Sequence, residues 1–138
     1  MPASLIIVWE RLSANFSASR IGKTVPVWDI SDTFGETDML VVNMAHGRDL
    51  ARALGDSRLV LMRGHGLTVA TESLYTAVTT AIYAVINARV QTKAMKMGEV
   101  KFLSEGEVDA AIAKAKASTV GHKRIWEYFS RRAGCEEL

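Results

Sequence analysis

Leu59-Val-Leu-Met-Arg-Gly-His-Gly-Leu-Thr-Val69 is the stretch that decides how this chain folds. Two short apolar runs, 59–62 and 67–69, flank the turn Arg63-Gly64-His65-Gly66. Apolar runs of this length bounded by glycine read as buried strands. Glycine on each side of one histidine lets the backbone turn sharply and come close to something. The arrangement sets an imidazole at the end of a strand, where a ligand can be met. A lone histidine in a turn is more often a hydrogen-bonded structural residue than a metal ligand, and spacing by itself leaves both readings open.

Downstream of this unit, Thr71-Glu-Ser73 offers an N-cap and an acidic first turn to a long helix over about 73–97. Leu74, Val78, Ala81, Ile82 and Val85 form one apolar stripe on it, and Tyr75, Thr79, Tyr83, Ile86 and Val90 nearly form a second. A helix apolar most of the way round is expected to be buried on several sides. Ser104-Glu-Gly-Glu107 is a capping box that opens a shorter helix, alanine- and lysine-rich and expected to pack on the outside. A last helix, about 122–132, places Ile125, Trp126 and Phe129 on one face.

Upstream, the spacing predicts a helix from about residue 44, with Leu50, Ala51, Ala53 and Leu54 on one face and Gly55 at the C-cap place. Before it lies a second short apolar run, Met39-Leu40-Val41-Val42, read as a strand over 38–42. Residues 31–36 carry turn chemistry. Thr24-Val-Pro-Val-Trp-Asp-Ile30 alternates and has a proline near its start, which suits an edge strand or strand entry. The compact apolar run 4–9 is compatible with a strand, and 10–23 reads as loop or weak helix.

The 138 residues make one domain by the usual prior. Apolar residues are 49% and charged residues 23%, ordinary for a globular chain. The net charge of +2 is scattered, which argues against a dedicated nucleic-acid surface. The single cysteine, Cys135, cannot form an internal disulfide, so a reducing, cytoplasmic setting is expected. No apolar run approaches the roughly 18–20 residues that cross a bilayer, and no secretory leader is evident.

The three histidines, His46, His65 and His122, have none of the spacings that put two ligands on one surface. No nucleophile elbow, Walker loop or dinucleotide fingerprint is present. Tyr128 and Arg131 share the last helix at i, i+3, where a phenol and a guanidinium together bind a carboxylate or phosphate. Tyr128 is the catalytic candidate and Arg131 the substrate-binding candidate. Against this stands a plainer reading, an aromatic anchor over 126–129 packed on the domain or on a partner subunit.

Val25-Pro-Val-Trp-Asp-Ile30, Thr37-Asp-Met-Leu-Val41, the helix ending Ala53-Leu-Gly55, and Leu61-Met-Arg-Gly-His-Gly66 follow one another in the order and spacing of the class II aldolase/adducin family. Ala84, Asn87-Ala88 and Gln91 along the long helix fit as well. The resemblance runs from about residue 20 to the end, and residues 1–19 do not share it. With Arg124-Ile-Trp-Glu-Tyr128 it most resembles the branch that includes decarboxylases of aromatic hydroxy-acids.

The resemblance implies a three-layer α/β/α fold with a largely antiparallel sheet. It implies homo-oligomers, commonly tetramers, with active sites between subunits, and a divalent metal, usually zinc, held by three histidines. His65 matches the last of them. In the family the metal polarises a carbonyl or phenolate oxygen and stabilises the enolate left when a C–C bond breaks. The other two histidines normally come from an upstream H-x-H pair, and an acidic proton-transfer residue lies further upstream. This chain has neither, so it resembles a single partial domain, 1–138, the C-terminal portion of such an enzyme. Two expectations follow: a metal-dependent lyase whose missing ligands come from another polypeptide, or a non-catalytic, oligomer-forming module. Strand edges left without partners lead us to expect self-association.

Overall fold

The computed structural model describes residues 21–117 and 119–135. Sequence expectations for 4–9 and 10–20 lie outside the described residues. The short strand β1 (Val27–Trp28) leads into helix α1 (Ile30–Phe34) and helix α2 (Met44–Leu54). Strands β2 (Leu59–Met62) and β3 (Gly66–Val69) follow. The long α3 (Leu74–Met97), α4 (Glu105–Ala117) and α5 (Thr119–Arg132) complete the described chain.

The sheet order is β1-β2-β3. β2 and β3 form an antiparallel hairpin with Leu59 opposite Val69 and Met62 opposite Gly66. β1 runs parallel to β2, in register Val27 with Leu61 and Trp28 with Met62. A parallel pair requires a crossover, and α1 and α2 supply it. Pro26 stands where strand entry needs no N–H, and its carbonyl accepts from the Leu61 N–H at 2.9 Å. Among the described residues the sheet is therefore mixed rather than largely antiparallel.

Alternation along the strands sends successive side chains to opposite faces. Leu59 and Leu61 join Ile21, Val25 and Ala84 of α3 in one buried cluster. Val60 points the other way and joins Trp28 and Ile30, with Leu50, Ala53 and Leu54 of α2 packed against them. Three of the four residues expected on the packed face of α2 are there; Ala51 is exposed instead. Asn43 caps this helix by accepting from the His46 N–H, and the Gly55 N–H closes it on the Ala51 carbonyl at 3.0 Å.

Two expectations are corrected upstream of α2. Residues 31–36 are not simple turn chemistry. Asp29 caps a short helix there, accepting from the Ser31 N–H at 2.9 Å. The run 38–42 is not a strand. The Thr37 Oγ1 and Asp38 Oδ1 atoms accept from the Met39 and Leu40 N–H groups at 3.0 and 3.1 Å. Those donors are then unavailable to a ladder, and Met39 turns left-handed at φ 65°.

α3 runs to the bounds that the sequence suggests, from the Ser73 cap to Gly98, but its burial differs. The side chains packed inward are Thr79, Thr80, Ala84, Asn87, Ala88 and Gln91. Val85, Ile86 and Val90 are exposed instead. Small residues let the helix backbone come close to Leu59 and Leu61, and the larger apolar groups are displaced to the outer faces. On α4 the capping box forms as expected: the Ser104 N–H donates to Glu107 Oε2 at 2.7 Å, and the Glu107 N–H donates to Ser104 Oγ at 3.2 Å. Lys23 bridges to Asp109 at 2.9 Å, and Val108 and Ala111 are buried. α5 lays Trp126 against Tyr75, ring centroids 5.5 Å apart, so the aromatic anchor is in part internal to the domain. Among the described residues no helix is long and apolar enough to cross a membrane.

Candidate functional site

The hairpin β2–β3 turns through the three residues between the Met62–Gly66 pair. Gly64 takes φ 78° and Gly66 φ 147°, conformations that a side chain resists. A Cβ at Gly64 would stand 3.1 Å from Met39 Sδ, so loop 37–43 lies directly on this turn. His65 is exposed at the tip. Its Nε2 is 2.8 Å from the Met39 carbonyl oxygen. A carbonyl only accepts, so Nε2 carries the proton and Nδ1 is the nitrogen with a free lone pair.

His46 repeats this chemistry one residue along. Its Nδ1 donates to the Leu40 carbonyl at 3.1 Å, and its Nε2 accepts from Asn43 Nδ2 at 3.2 Å. Two imidazoles from two elements thus hold consecutive carbonyls of one loop. The Phe34 ring packs against that of His46, centroids 4.6 Å apart and tilted by 56°.

Beside His65, the Arg63 guanidinium pairs with Asp29, which ties the ends of β1 and β2 together. Burial pushes the Asp29 carboxyl up. Hydrogen bonds from Ser31 and Arg63 outweigh it and hold its pKa below the ordinary value. The Trp28 indole N–H donates to Asp49 Oδ2 at 2.9 Å and is the main cause of a lowered Asp49 pKa. Burial opposes that shift, while Thr33 and Arg52 add to it.

A groove of about 700 Å³ opens between the hairpin and the C-terminal half of α3. Leu61, Leu67, Ala84 and Ala88 form its floor, His65 one end, and Arg89, Lys93 and Lys96 its rim. The other two candidates are elsewhere. Tyr128 and Arg131 line a shallow depression on α5 with Arg124, Glu127 and Arg132, and no residue lines both. The guanidinium bonded to the Tyr128 hydroxyl is that of Arg132, at 3.1 Å, not that of Arg131. The structure therefore does not bring His65 together with the Tyr128–Arg131 pair.

A divalent metal held by three histidines was the expectation for His65. Among the described residues no three histidine, cysteine, aspartate or glutamate side chains converge. His46 spends both ring nitrogens inside its own loop, and the His122 side chain lies outside the described residues. Among the described residues the donor set is one imidazole with one free nitrogen, too few ligands to hold a metal centre by itself.

Sequence reading missed the Met39 carbonyl, the Asp29–Arg63 pair and the basic rim. The rim has a signal: positions 89, 93 and 96 are one helical stripe. The Met39 contact has none, because it depends on a left-handed residue that no propensity favours.

Comparison with known proteins fits this architecture. The sequence profile of the family described as class II aldolase and adducin N-terminal domain matches residues 8–92. The chain is 30% identical over 128 residues to the decarboxylase tropJ of Talaromyces stipitatus, an alignment covering 77% of this chain and 48% of that protein. The chain thus spans about half the length of the curated relative it matches. With well over half of its residues inside the family profile, and the glycine-flanked His65 hairpin within that span, this chain belongs to the class II aldolase and adducin family.

Proposed function

We propose that this chain is functionally related to the metal-dependent C–C lyases of its family, of the decarboxylase or aldolase type. It supplies one ligand position, His65, to a site that it does not complete by itself. The observation that supports this reading is the placement of the imidazole: His65 has a free Nδ1 at an exposed turn, and no three ligand-type side chains converge among the described residues. Zinc, if the site is completed, takes its other donors from another polypeptide. Tyr128 and Arg131 serve such a site only across a subunit boundary, since they do not share the His65 groove. The full fold in this reading is three-layered, supported by helices packed on both faces of the sheet. The setting is cytoplasmic, supported by a single exposed thiol.

Metal content tests it. After incubation with excess zinc and dialysis, the chain alone is expected to retain far less than one zinc per chain and to show no lyase activity. Mixing with a polypeptide that carries an H-x-H ligand segment is expected to raise retention, and His65→Ala to abolish the gain. Stoichiometric zinc on the chain alone, lost in His65→Ala, overturns the incompleteness. Zinc retention that ignores His65 overturns the ligand assignment.

A second reading is a non-catalytic module that forms oligomers, tetramers being the family's habit. Exposed Val85, Ile86 and Val90 on α3, with Val42 just before α2 and Met44 at its first residue, favour it. Unpaired outer edges of β1 and β3 among the described residues add to it. A mixture with the H-x-H polypeptide that binds no zinc, while the chain still self-associates, selects this reading over the first.

A further inference from the structure

The rim of the groove beside His65 concentrates one sign of charge. Arg89, Lys93 and Lys96 follow one another at helical spacing on α3, all exposed, and none has an acidic partner within ion-pair distance among the described residues. Beneath them the floor is apolar. Such a groove fits a segment that is acidic on one side and apolar on the other.

Among the described residues a segment of that kind borders the same turn. Asp32, Glu36 and Asp38 are exposed and have no cationic partner among the described residues. Leu40, Val41 and Val42 follow immediately, at 50%, 40% and 66% exposure. Three adjacent large apolar side chains facing water are a docking signal when the backbone under them is held. This backbone is held, by His65 on the Met39 carbonyl and His46 on the Leu40 carbonyl. A loop already fixed costs little further entropy on docking.

From this we infer that loop 36–43 of one copy seats in the α3 groove of a second copy. Loop and groove border the same hairpin turn, since Met39 Sδ lies against Gly64 and Gly64 lines the groove. A two-fold axis near that turn places each loop on the other copy's groove, so one operation satisfies both contacts. Acidic residues then meet the basic rim, and Leu40, Val41 and Val42 cover the apolar floor. The inference rests on the self-association reading above and adds the surfaces through which it happens.

Sedimentation of paired charge reversals tests it. Glu36→Lys and Lys93→Glu are chosen because neither side chain makes a hydrogen bond or ion pair among the described residues. Each alone is expected to raise the dimer Kd by at least about tenfold, with circular dichroism unchanged. An equimolar mixture of the two is expected to recover association, because in the mixed dimer each contact pairs opposite charges again. Lys114→Glu, on α4, is the control and is expected to leave Kd unchanged. Added salt is expected to weaken wild-type association. If the reversals match the control, or if mixing restores nothing, these surfaces are wrong while self-association stands. A wild-type chain that sediments as a clean monomer at micromolar concentration overturns both.

Discussion

α2 and α3 pack on opposite faces of the same small sheet and treat their apolar residues in opposite ways. α2 turns Leu50, Ala53 and Leu54 inward onto Trp28 and Val60, and leaves Arg48 and Arg52 outside. α3 turns Ala84, Asn87, Ala88 and Gln91 inward, and leaves Val85, Ile86 and Val90 outside. The first helix is finished by its own chain. The second buries a small, partly polar stripe against Leu59 and Leu61 and presents its larger apolar groups elsewhere. Periodicity reveals that a face is apolar; it does not reveal which molecule covers it.

The largest effect expected from this contrast lies at the strand both helices share. Leu59 is fully buried on the α3 side. Leu59→Ala leaves a cavity that the short side chains of α3 cannot fill, at a cost of about 2–5 kcal/mol in urea unfolding. A loss well under that range means the α3 face is loosely packed, and the contrast with α2 would then be one of packing quality rather than of covering partner.

Gly64→Ala comes next. It asks a Cβ to tolerate φ 78° and a 3.1 Å approach to Met39 Sδ. About 1–2 kcal/mol of destabilisation is expected. Faster amide exchange at Met39 and Leu40 should accompany it, since the turn and the loop are built on each other. Exchange that quickens only inside the hairpin would show the two to be independent.

Much of this was legible beforehand, and the reasons are local. α2, α3, α4 and the hairpin announce themselves through caps, glycines and apolar runs, which act within a few residues. The strand read over 38–42 failed because Thr37 and Asp38 capture the next backbone N–H groups, and nothing in an apolar run reports that competition. The two stripes read on α3 hold only in part, with Thr79 buried but Leu74, Val85, Ile86 and Val90 exposed, and for a different reason. Burial there is set by how closely Ala84 and Ala88 let the helix approach the sheet, a tertiary fact. At the site, His65 was legible as a special residue from its flanking glycines. Its engagement with Met39, 26 residues away in sequence, was not.

Ser104→Ala removes half of the reciprocal cap on α4, and about 1 kcal/mol is expected. Acid sharpens the other end of the molecule. Asp29 and Asp49 both titrate below their ordinary values in the folded state. Their contribution is therefore complete above the ordinary carboxylate range and is lost as pH falls through the lowered folded values. Stability should decline with acid, and Asp29→Asn should flatten that decline. An unchanged acid slope in this variant would show that Asp29 gains nothing from Arg63 and Ser31 on folding.

Val90→Ala is the smallest expected effect and the most direct probe of the contrast. Val90 is exposed on α3, so its truncation removes no core contact of the described chain. Alanine is also the better helix former, by up to about 0.7 kcal/mol. The unfolding free energy of the monomer should therefore hold steady or rise slightly. Leu50→Ala on α2, whose side chain packs against the Trp28 cluster, should instead destabilise. If Val90→Ala destabilises as a core residue does, with no change in oligomeric state, then this face is covered by the same chain. The difference between the two helices would then lie only in how far along the sequence their covers come from.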